Sequence, residues 1–504
     1  MSEGMTIKIG FTIVGSLVFG SIVAFRSRRE EGKDDYGYRP RYLGYVSGAI
    51  LPAAVLSWAI LFFLCSGGRA AAQALLSACF GIFLHIGVYY IVLLLLLPFF
   101  RERISARACA MLWMIPNYLY LTEMGGMELP GPAFVIQAPE RLVWGLFTVW
   151  LLGFAGVLAW SILSHLRFRR QILSTAREVT DPAVLDVWEE ELKNANFIEP
   201  WFRLVTSPAV SSPLSIGLFR HATRVVLPER QYSAGDLHLI FRHELVHIGR
   251  EDSWSKFFLV FCTAMCWFNP FMWKAMQKSA DDLELSCDET VLVNAGADTR
   301  KQYAGLILET AGDGRGFTTC LSAAASSLRY RLQNIIRPPR KHSGALTVGL
   351  MFFLLCMSCG YVALAYGGGR GADLFFGEGG PSEYTLAYVN EVDGSSYLPL
   401  ACTDETALHD YLASVELREL TGNYDFREEE RKIMVLYDTS DGFISVILSD
   451  GMAKVARFGD RMESEFYYLP DKTNWEYLDT ILEPAAQVLS AETETGPVPE
   501  RQKR

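Results

Sequence analysis

The stretch HELVH occupies residues 243–247, inside the longer run SAGDLHLIFRHELVHIGRED at 233–252. Two histidines four residues apart lie one turn apart on the same face of a helix, where they can bind one metal ion together. The glutamate between them, Glu244, is placed to take a proton from an activated water. Ser233 followed by Asp236 resembles a capping box, which predicts that a helix begins just before the motif. The pattern predicts a helix that carries a hydrolytic metal site.

An acidic segment at residues 281–289 supplies the remaining candidate ligand. Hydrolytic zinc uses three protein ligands and keeps a fourth position open for water. We therefore predict that one Zn²⁺ per chain is held by His243, His247 and Glu284. Asp288 lies one turn beyond Glu284 on the same helical face, where it could orient a ligand histidine. A solvated helix face is the competing interpretation of this segment.

The apolar run between the two parts of this site, residues 257–276, is long enough to span a bilayer. A single crossing would separate His247 from Glu284 by about 30 Å, which excludes a shared metal. The pair Asn269-Pro270 lies in the middle of the run, and proline disfavours helix at the residue before it. We therefore predict a helical hairpin that dips into the membrane and returns to the same face.

The composition of the whole chain is typical of a membrane protein with polar parts attached. Its 504 residues are 50% hydrophobic, and the mean hydropathy is +0.18. A run at 108–121 is only marginally long enough to cross a bilayer. Apolar runs of full length are predicted to cross at about 5–25, 43–65, 74–99, 142–164 and 344–366.

Basic residues set the predicted orientation in the membrane. They follow the first, third and fifth runs if 108–121 counts as a crossing, whereas loops 66–73 and 122–140 hold almost none. Because loops rich in Lys and Arg stay on the cytoplasmic side, residues 167–343 are predicted to lie at the cytoplasmic face. The N-terminus and the residues after 366 are then predicted to lie outside.

The part after the last apolar run is predicted to be a separate small domain. A glycine-rich linker at 367–383 leads to an α+β domain at 384–490, and the tail at 491–504 is predicted to be disordered. Acidic residues outnumber basic ones in this part, which argues against direct nucleic-acid binding. The candidate strands are 384–392, 396–401, 431–438, 442–449, 452–458 and 464–469, and the candidate helices are 404–416 and 473–489.

Five stretches together carry a resemblance to a known family, and two later ones, YAGLIL at 303–308 and SSLRYRLQNI at 326–335, agree with it. The five are SSPLSIGLF at 211–219, VVLPE at 225–229, HELVHIGRED at 243–252, WFNPFMW at 267–273 and LELSCDE at 283–289. Their combination resembles the BlaR/MecR-type integral-membrane zinc metallopeptidases, which serve as antirepressors in β-lactam sensing. The resemblance covers roughly residues 1–366.

The resemblance implies a role for each residue of the site. Glu244 matches the catalytic base of the family. Asp252 and Asp288 match acidic positions that we assign outside the ligand shell. The matched zinc ligands are His243, His247 and Glu284. Residues 210–229 predict a β-hairpin, and we expect its strand at Arg224–Leu227 to pair with an extended substrate by strand addition.

We therefore expect an α-helical polytopic membrane protein with a transmembrane region at 1–166 and a last transmembrane helix at 344–366. Between them lies a mainly helical, gluzincin-like HExxH peptidase domain at 167–343, and the α+β domain lies outside. The expected function is a zinc endopeptidase that carries an outside signal inward by cleaving a cytoplasmic protein. In the family this protein is a winged-helix transcriptional repressor, and self-cleavage accompanies activation. We expect self-cleavage between about 312 and 343.

The chain departs from the best-known family members in its outer part. Those members carry a large domain that β-lactams acylate at the serine of an SxxK motif, and residues 367–504 contain no SxxK. Acylation is therefore not expected, and the stimulus stays open. A general quality-control metalloprotease of the membrane and a non-proteolytic, zinc-dependent receptor are the alternatives. The sequence also leaves a homodimer open.

Overall fold

The computed structural model describes residues 3–31, 46–66, 68–123, 129–197, 200–310, 325–376, 383–393, 396–422, 424–426, 431–439, 442–458 and 462–485. Within these ranges the chain is mostly helical, with a large β-sheet region toward its C-terminus. An apolar helical bundle comes first, followed by a helical domain around the HELVH motif, and the sheet region follows the last apolar helix.

The described elements follow one another in this order. The helices are α1 (Glu3–Glu31), α2 (Ile50–Ser66), α3 (Gly68–Arg103), α4 (Ala106–Leu112), α5 (Leu119–Glu123), α6 (Glu140–Leu173), α7 (Pro182–Asn194), α8 (Ala234–Arg250), α9 (Asp252–Met265), α10 (Pro270–Val291), α11 (Ala297–Thr310), α12 (Ala325–Ile336), α13 (Ala345–Ser358), α14 (Gly371–Leu374), α15 (Glu405–Ser414) and α16 (Trp475–Ile481). The strands are β1 (Leu129–Pro130), β2 (Phe134–Ala138), β3 (Arg177–Glu178), β4 (Arg203–Ser207), β5 (Leu214–Ile216), β6 (Arg224–Pro228), β7 (Val362–Arg370), β8 (Thr385–Asp393), β9 (Ser396–Cys402), β10 (Glu416–Leu420), β11 (Tyr424–Asp425), β12 (Ile433–Thr439), β13 (Gly442–Leu448), β14 (Met452–Phe458), β15 (Met462–Tyr468) and β16 (Leu482–Pro484).

The apolar bundle matches the predicted spans only in part. α2 and α13 are apolar but shorter than a full span. The predicted span 344–366 is wrong in extent, because α13 ends at Ser358 and β7 begins at Val362. The continuous apolar run at 362–366 does not by itself distinguish a strand from a helix. Described helical segments long and apolar enough to cross a membrane are Lys8–Phe25, Ala71–Arg103 and Glu140–Leu173.

The marginal run at 108–121 is an interrupted helix. It consists of α4, a short 3₁₀ turn and α5, and residues 108–119 are all buried. Ser105 at its start donates a hydrogen bond to the Ser343 carbonyl (3.3 Å), and Thr122 near its end donates to the Cys359 sulfur (3.3 Å). The segment therefore runs beside α13 over that helix's whole length. Irregular backbone of this kind is tolerated at membrane depth only when it is buried in protein.

α1 and α13 pack closely because small residues line their contact. A Cβ added to Gly349 would lie 2.9 Å from the Ser16 backbone oxygen, and one added to Gly20 would lie 3.2 Å from the Ala345 oxygen. Small residues let two helix backbones approach in this way. The close contact fixes α1 against the helix that precedes the C-terminal region.

Gly349→Ala should destabilise the protein, although Gly→Ala inside a helix normally stabilises it by roughly 0.5–1 kcal/mol. The added methyl group meets backbone that cannot move without separating α1 from α13, and overpacking of this kind costs about 1–3 kcal/mol. Gly10→Ala is the matched control, because a Cβ there meets nothing within 4 Å. Thermal unfolding in detergent should show a lower Tm for Gly349→Ala and no loss for Gly10→Ala; equal Tm values would contradict the packing.

The apolar run at 257–276 forms two helices, as its proline predicts. α9 ends before the turn, and α10 begins at Pro270 with the Asn269 side chain accepting a hydrogen bond from the Phe271 N–H (3.0 Å). α10 packs back against α9 and returns to α8. Phe268 and Phe271 at the turn are exposed. The dip of this hairpin into a membrane stays a prediction.

The domain around the motif combines helices with a four-stranded sheet. α8 begins as predicted, since the Ser233 hydroxyl accepts a hydrogen bond from the Asp236 N–H (3.1 Å). The strand order is β3-β4-β6-β5, and the antiparallel pairing of β5 with β6 confirms the hairpin predicted at 210–229. The expected pairing of a substrate with Arg224–Leu227 is wrong, because β6 is already paired on both sides, to β4 and to β5. The strand at this edge of the sheet is β5.

The C-terminal region is built on a ten-stranded sheet with the order β16-β9-β8-β12-β13-β14-β15-β10-β7-β2. The six strands predicted there are confirmed to within about two residues, and the helix predicted at 404–416 is confirmed as α15. The helix predicted at 473–489 is shorter, since β16 follows α16 directly. The linker predicted at 367–383 is wrong in its first part, because β7 continues to Arg370 and α14 follows. The tail predicted at 491–504 lies outside the described residues.

The ten-stranded sheet also includes a strand from the helical bundle. β2 lies directly before α6 and pairs in parallel with β7, which directly follows α13. One sheet therefore holds both the strand that enters α6 and the strand that leaves α13. Backbone hydrogen bonds therefore connect the C-terminal sheet to the strand before α6, which leads into the HELVH domain, and to the strand after α13, which follows that domain.

Candidate metal centre

α8 and α10 bring the three predicted ligands together. The Nε2 atoms of His243 and His247 are 3.1 Å apart on one face of α8. On α10, Glu284 faces both rings: its Oε2 lies 3.5 Å from His243 Nε2, and its Oε1 lies 3.7 Å from His247 Nε2. All three side chains are buried.

The spacing of these atoms fits a tetrahedral metal. Ligand atoms bound at about 2.0–2.1 Å in a tetrahedron lie about 3.3–3.4 Å apart. The two Nε2 atoms are 3.1 Å apart, and they lie 3.5 and 3.7 Å from different oxygens of the Glu284 carboxylate, which is close to that value. Glu284 Oε2 is buried and receives no hydrogen bond from any residue that the structure describes. The Arg331 guanidinium lies 3.4 Å from this oxygen and offsets part of its charge without a hydrogen bond, so a metal ion at this point would supply the contact that the oxygen lacks.

The outer nitrogen of each histidine is held by a partner that fixes the ring. His247 Nδ1 lies 2.6 Å from the Asp252 carboxylate, which Arg250 also holds at 2.7 Å. His243 Nδ1 lies 2.8 Å from the Tyr303 hydroxyl, whose proton goes to Asp288 at 2.8 Å.

These contacts determine which ring nitrogen of each histidine carries the proton. An Nδ1–H that donates to an oxygen leaves the lone pair on Nε2, which is the tautomer a metal ligand requires. Both Nε2 lone pairs then point toward each other and toward the Glu284 carboxylate. Two lone pairs and a carboxylate that face one another repel unless a positive charge, either a proton on one imidazole or a metal ion, lies between them.

The electrostatics of the centre favour positive charge. Burial opposes a charged imidazole, but the Cys287 sulfur and the Glu284 carboxylate outweigh it and raise the pKa of His243 to about 10. Burial likewise opposes a charged Glu284, but the positive charges of His247 and Lys256 hold its pKa well below the usual range. The carboxylate is therefore ionised, and the histidines lie in a negative environment.

The glutamate of the motif lies beside a small cavity next to the ligands. Glu244 and His243 line this cavity together with Pro213, which precedes β5, and with Tyr303 and Ile307 of α11. Its volume of about 20 Å³ exceeds the roughly 10–15 Å³ that one water needs. The structure therefore provides room for one water beside Glu244, but not for a peptide side chain.

Cys287 is a competing ligand that sequence reasoning missed. Its Sγ lies 3.3 Å from His243 Nδ1, and potential ligand atoms of His243, His247 and Cys287 lie within 4.8 Å of one another. His243 Nδ1, however, already contacts the Tyr303 hydroxyl, whereas both Nε2 atoms face Glu284. The Glu284 side fits a metal better, since it uses the ring nitrogens that face away from Tyr303 and Asp252.

Three further side chains of the centre carried no local sequence signal for their position. Lys256 on α9 lies 3.5 Å from Glu284 Oε1. Tyr303 on α11 connects His243 to Asp288, and Arg331 on α12 pairs with Asp288. All of them reach the centre through packing of distant helices, which a local pattern does not reveal.

A second group of potential ligands lies in the helical bundle. Potential ligand atoms of His85, Glu123 and Cys359 lie within 4.8 Å of one another. His85 Nδ1 lies 2.6 Å from the Gly81 carbonyl oxygen, and Nε2 lies 3.1 Å from that of Ser358. Because both ring nitrogens face carbonyl oxygens, this ring offers no nitrogen that is free of a competing contact. The group is a poorer metal site than the one on α8 and α10.

Comparison with known proteins identifies the region that holds this centre. Residues 132–335 match the family described as BlaR1 peptidase M56. Regulatory protein BlaR1 of Bacillus licheniformis is 27% identical over 187 residues, which make up 37% of this chain and 30% of that protein. The match thus spans less than a third of the relative's length. The family implies a peptidase, and the apolar helices together with this similarity indicate a membrane protein. The match of residues 132–335 and the similarity to this relative confirm the BlaR/MecR-type resemblance that the sequence motifs predict.

Proposed function

We propose that the protein is a membrane-embedded zinc endopeptidase whose metal is held by His243, His247 and Glu284, with Glu244 as its catalytic base. One observation carries the proposal. The Nε2 atoms of both histidines lie 3.1 Å apart and within 3.7 Å of the buried, ionised Glu284 carboxylate, beside Glu244 and a water-sized cavity. Asp252 and Asp288 would keep the ligand rings in the required tautomer.

The residues of the proposed site have separate roles in peptide hydrolysis. Zinc, when bound, supplies a Lewis acid that lowers the pKa of water toward about 7 and polarises a carbonyl. The Glu244 carboxylate accepts the proton of the attacking water and passes it to the leaving amine. α11 lines one side of the cavity with Tyr303 and Ile307.

The substrate would bind along β5. This strand lies at the edge of the sheet, and Pro213 directly before it lines the cavity beside Glu244. An extended peptide that added a strand to Leu214–Ile216 would pass next to the metal. The edge strand thus takes the role that the sequence alone suggested for β6.

The same proposal includes the protein's place in signalling. Its relative is named a regulatory protein, and we propose that this chain also transmits a signal, by cleaving a cytoplasmic transcriptional repressor and itself. The parallel pairing of β2 with β7 supports a mechanical connection from the C-terminal region to α6 and α13. The positive-inside pattern supports a cytoplasmic peptidase domain and an outer C-terminal region. Of the proposed self-cleavage segment at 312–343, residues 312–324 lie outside the described residues.

Comparison of protein fragments in cells tests this function. Cells with the wild-type chain should accumulate N-terminal ends of one or a few cytoplasmic proteins that are missing from cells with Glu244→Gln. Many unrelated fragments would favour a general quality-control protease. Identical fragments in both cells under every stimulus, with zinc still bound, would favour a non-proteolytic receptor and overturn the proposal.

A further inference from the structure

Arg331 on α12 is an arginine buried to 1% exposure beside the proposed metal site. It makes a bidentate pair with Asp288, from Nε to Oδ2 at 2.8 Å and from Nη2 to Oδ1 at 2.7 Å. Its remaining terminal nitrogen, Nη1, lies 3.4 Å from Glu284 Oε2. One planar guanidinium therefore contacts two carboxylates of α10 at once.

The Asp288 contact extends to the first histidine of the motif. Asp288 Oδ1 accepts both from Arg331 and from the Tyr303 hydroxyl, and that hydroxyl contacts His243 Nδ1. Arg331 thus contacts Glu284 directly and is connected to His243 through three hydrogen bonds in series. A fork-shaped donor fixes the direction of a carboxylate, which a single point charge does not.

The fold connects this arginine to the apolar bundle. The neighbouring Tyr330 donates a hydrogen bond to the Arg101 carbonyl at the end of α3. α12 leads through residues 337–344 into α13, and a backbone pair between Ser105 and His342 (2.9 Å) holds that connection. The position of Arg331 therefore depends on the helices that lead to the C-terminal region.

Stability alone is a weak reason for this arrangement. A buried ion pair recovers about what its desolvation costs, and an apolar replacement of similar volume is often as stable. Arg300 and Arg331 both line a second cavity of about 90 Å³. Among the residues that the structure describes, Arg300 donates to the carbonyl oxygens of Leu292, Ala295 and Ile335. These bonds connect α11 to its neighbouring helices, and they involve no carboxylate of the proposed metal site. Arg300 therefore has the contacts expected of an arginine with a purely structural role.

We propose that Arg331 is a positioning residue that sets the carboxylates of Glu284 and Asp288, so that zinc affinity depends on where α12 lies. The inference rests on the proposed zinc site. The direction in which zinc affinity changes when Arg331 is replaced distinguishes a positioning role from an effect of charge. Charge alone predicts that removing a cation 3.4 Å from a ligand carboxylate tightens zinc binding, whereas loss of the fixed geometry weakens it.

Zinc affinity of the full-length protein in detergent, measured by competition with a chelator, tests the inference. Arg331→Met should weaken zinc binding by about 10–100-fold, the usual effect of losing a partner behind a metal ligand. Arg331→Lys should also weaken it, because lysine keeps the charge but cannot form both bonds to Asp288. Arg300→Met, the matched control, should stay within about threefold of the wild type. Tyr303→Phe is the second variant if Arg331→Met does not fold; it removes only the hydroxyl between Asp288 and His243, and it should weaken binding by about tenfold.

The outcomes separate this inference from the proposed function. A wild-type chain that binds no zinc refutes the metal site itself. A wild-type chain with one zinc, together with Arg331→Met that binds equally or more tightly, overturns only the positioning role. Equal weakening in Arg331→Met and Arg300→Met would also overturn it, because the effect would then be one of general packing.

Discussion

His247→Ala should reduce the zinc content of the purified protein from about one ion per chain to nearly none. The variant removes one of three lone-pair donors, and the remaining His243 and Glu284 cannot complete a tetrahedral site. The loss should exceed the roughly 10–100-fold that a missing outer partner costs. Elemental analysis after gel filtration in a buffer with a weak chelator provides the measurement.

His238→Ala is the matched control for this prediction. His238 lies on the same helix, but its side chain is 35% exposed and its Nδ1 contacts Glu191 at 2.9 Å. Removing it should leave the zinc content unchanged. If His247→Ala retained a full equivalent of zinc, the proposed ligand set would be wrong.

Glu244→Gln should lower peptide turnover by about 10²–10⁴-fold, the usual contribution of a general base, while zinc stays bound. Glutamine keeps the size of the side chain and its place beside the cavity, but it cannot accept the proton. The rate is measured on purified full-length protein, with a peptide that spans a cleavage site found in the cellular comparison. Turnover within about tenfold of the wild type, at equal zinc content, would assign the base to another group.

The local part of the site was predictable because helix geometry is local. His243 and His247 lie on one face whatever the rest of the fold does. The return of Glu284 to that face followed from a break at Pro270, since a straight apolar helix would have carried the acidic segment away. The structure brings these residues together as predicted, and their metal-binding role stays a proposal.

The partners behind the ligands were less predictable. Asp252 and Asp288 came from the family resemblance. Tyr303 and Arg331 lie in stretches that also resemble the family, but neither pattern nor spacing assigned them a role. Each lies on a separate helix, and an arginine in an amphipathic helix is ordinarily expected at the surface. Its burial here depends on two carboxylates that α10 supplies from a distant part of the chain.

The C-terminal sheet shows where the apolar pattern was ambiguous. Residues 362–366 continue the hydrophobic run of α13, so they were assigned to a membrane span. They form β7 because β2 and β10 pair with both of its edges. That pairing joins positions far apart in sequence, and the hydrophobic pattern of consecutive residues cannot reveal it.

X-ray absorption at the zinc edge of the purified full-length protein tests the central claim, that one metal is held jointly by His243, His247 and Glu284. We predict two imidazole nitrogens at about 2.0–2.1 Å and oxygen at about 2.0–2.2 Å, with an unchanged spectrum in Cys287→Ser. A sulfur neighbour near about 2.3 Å that disappears in Cys287→Ser would show that the cysteine, and not Glu284, completes the site.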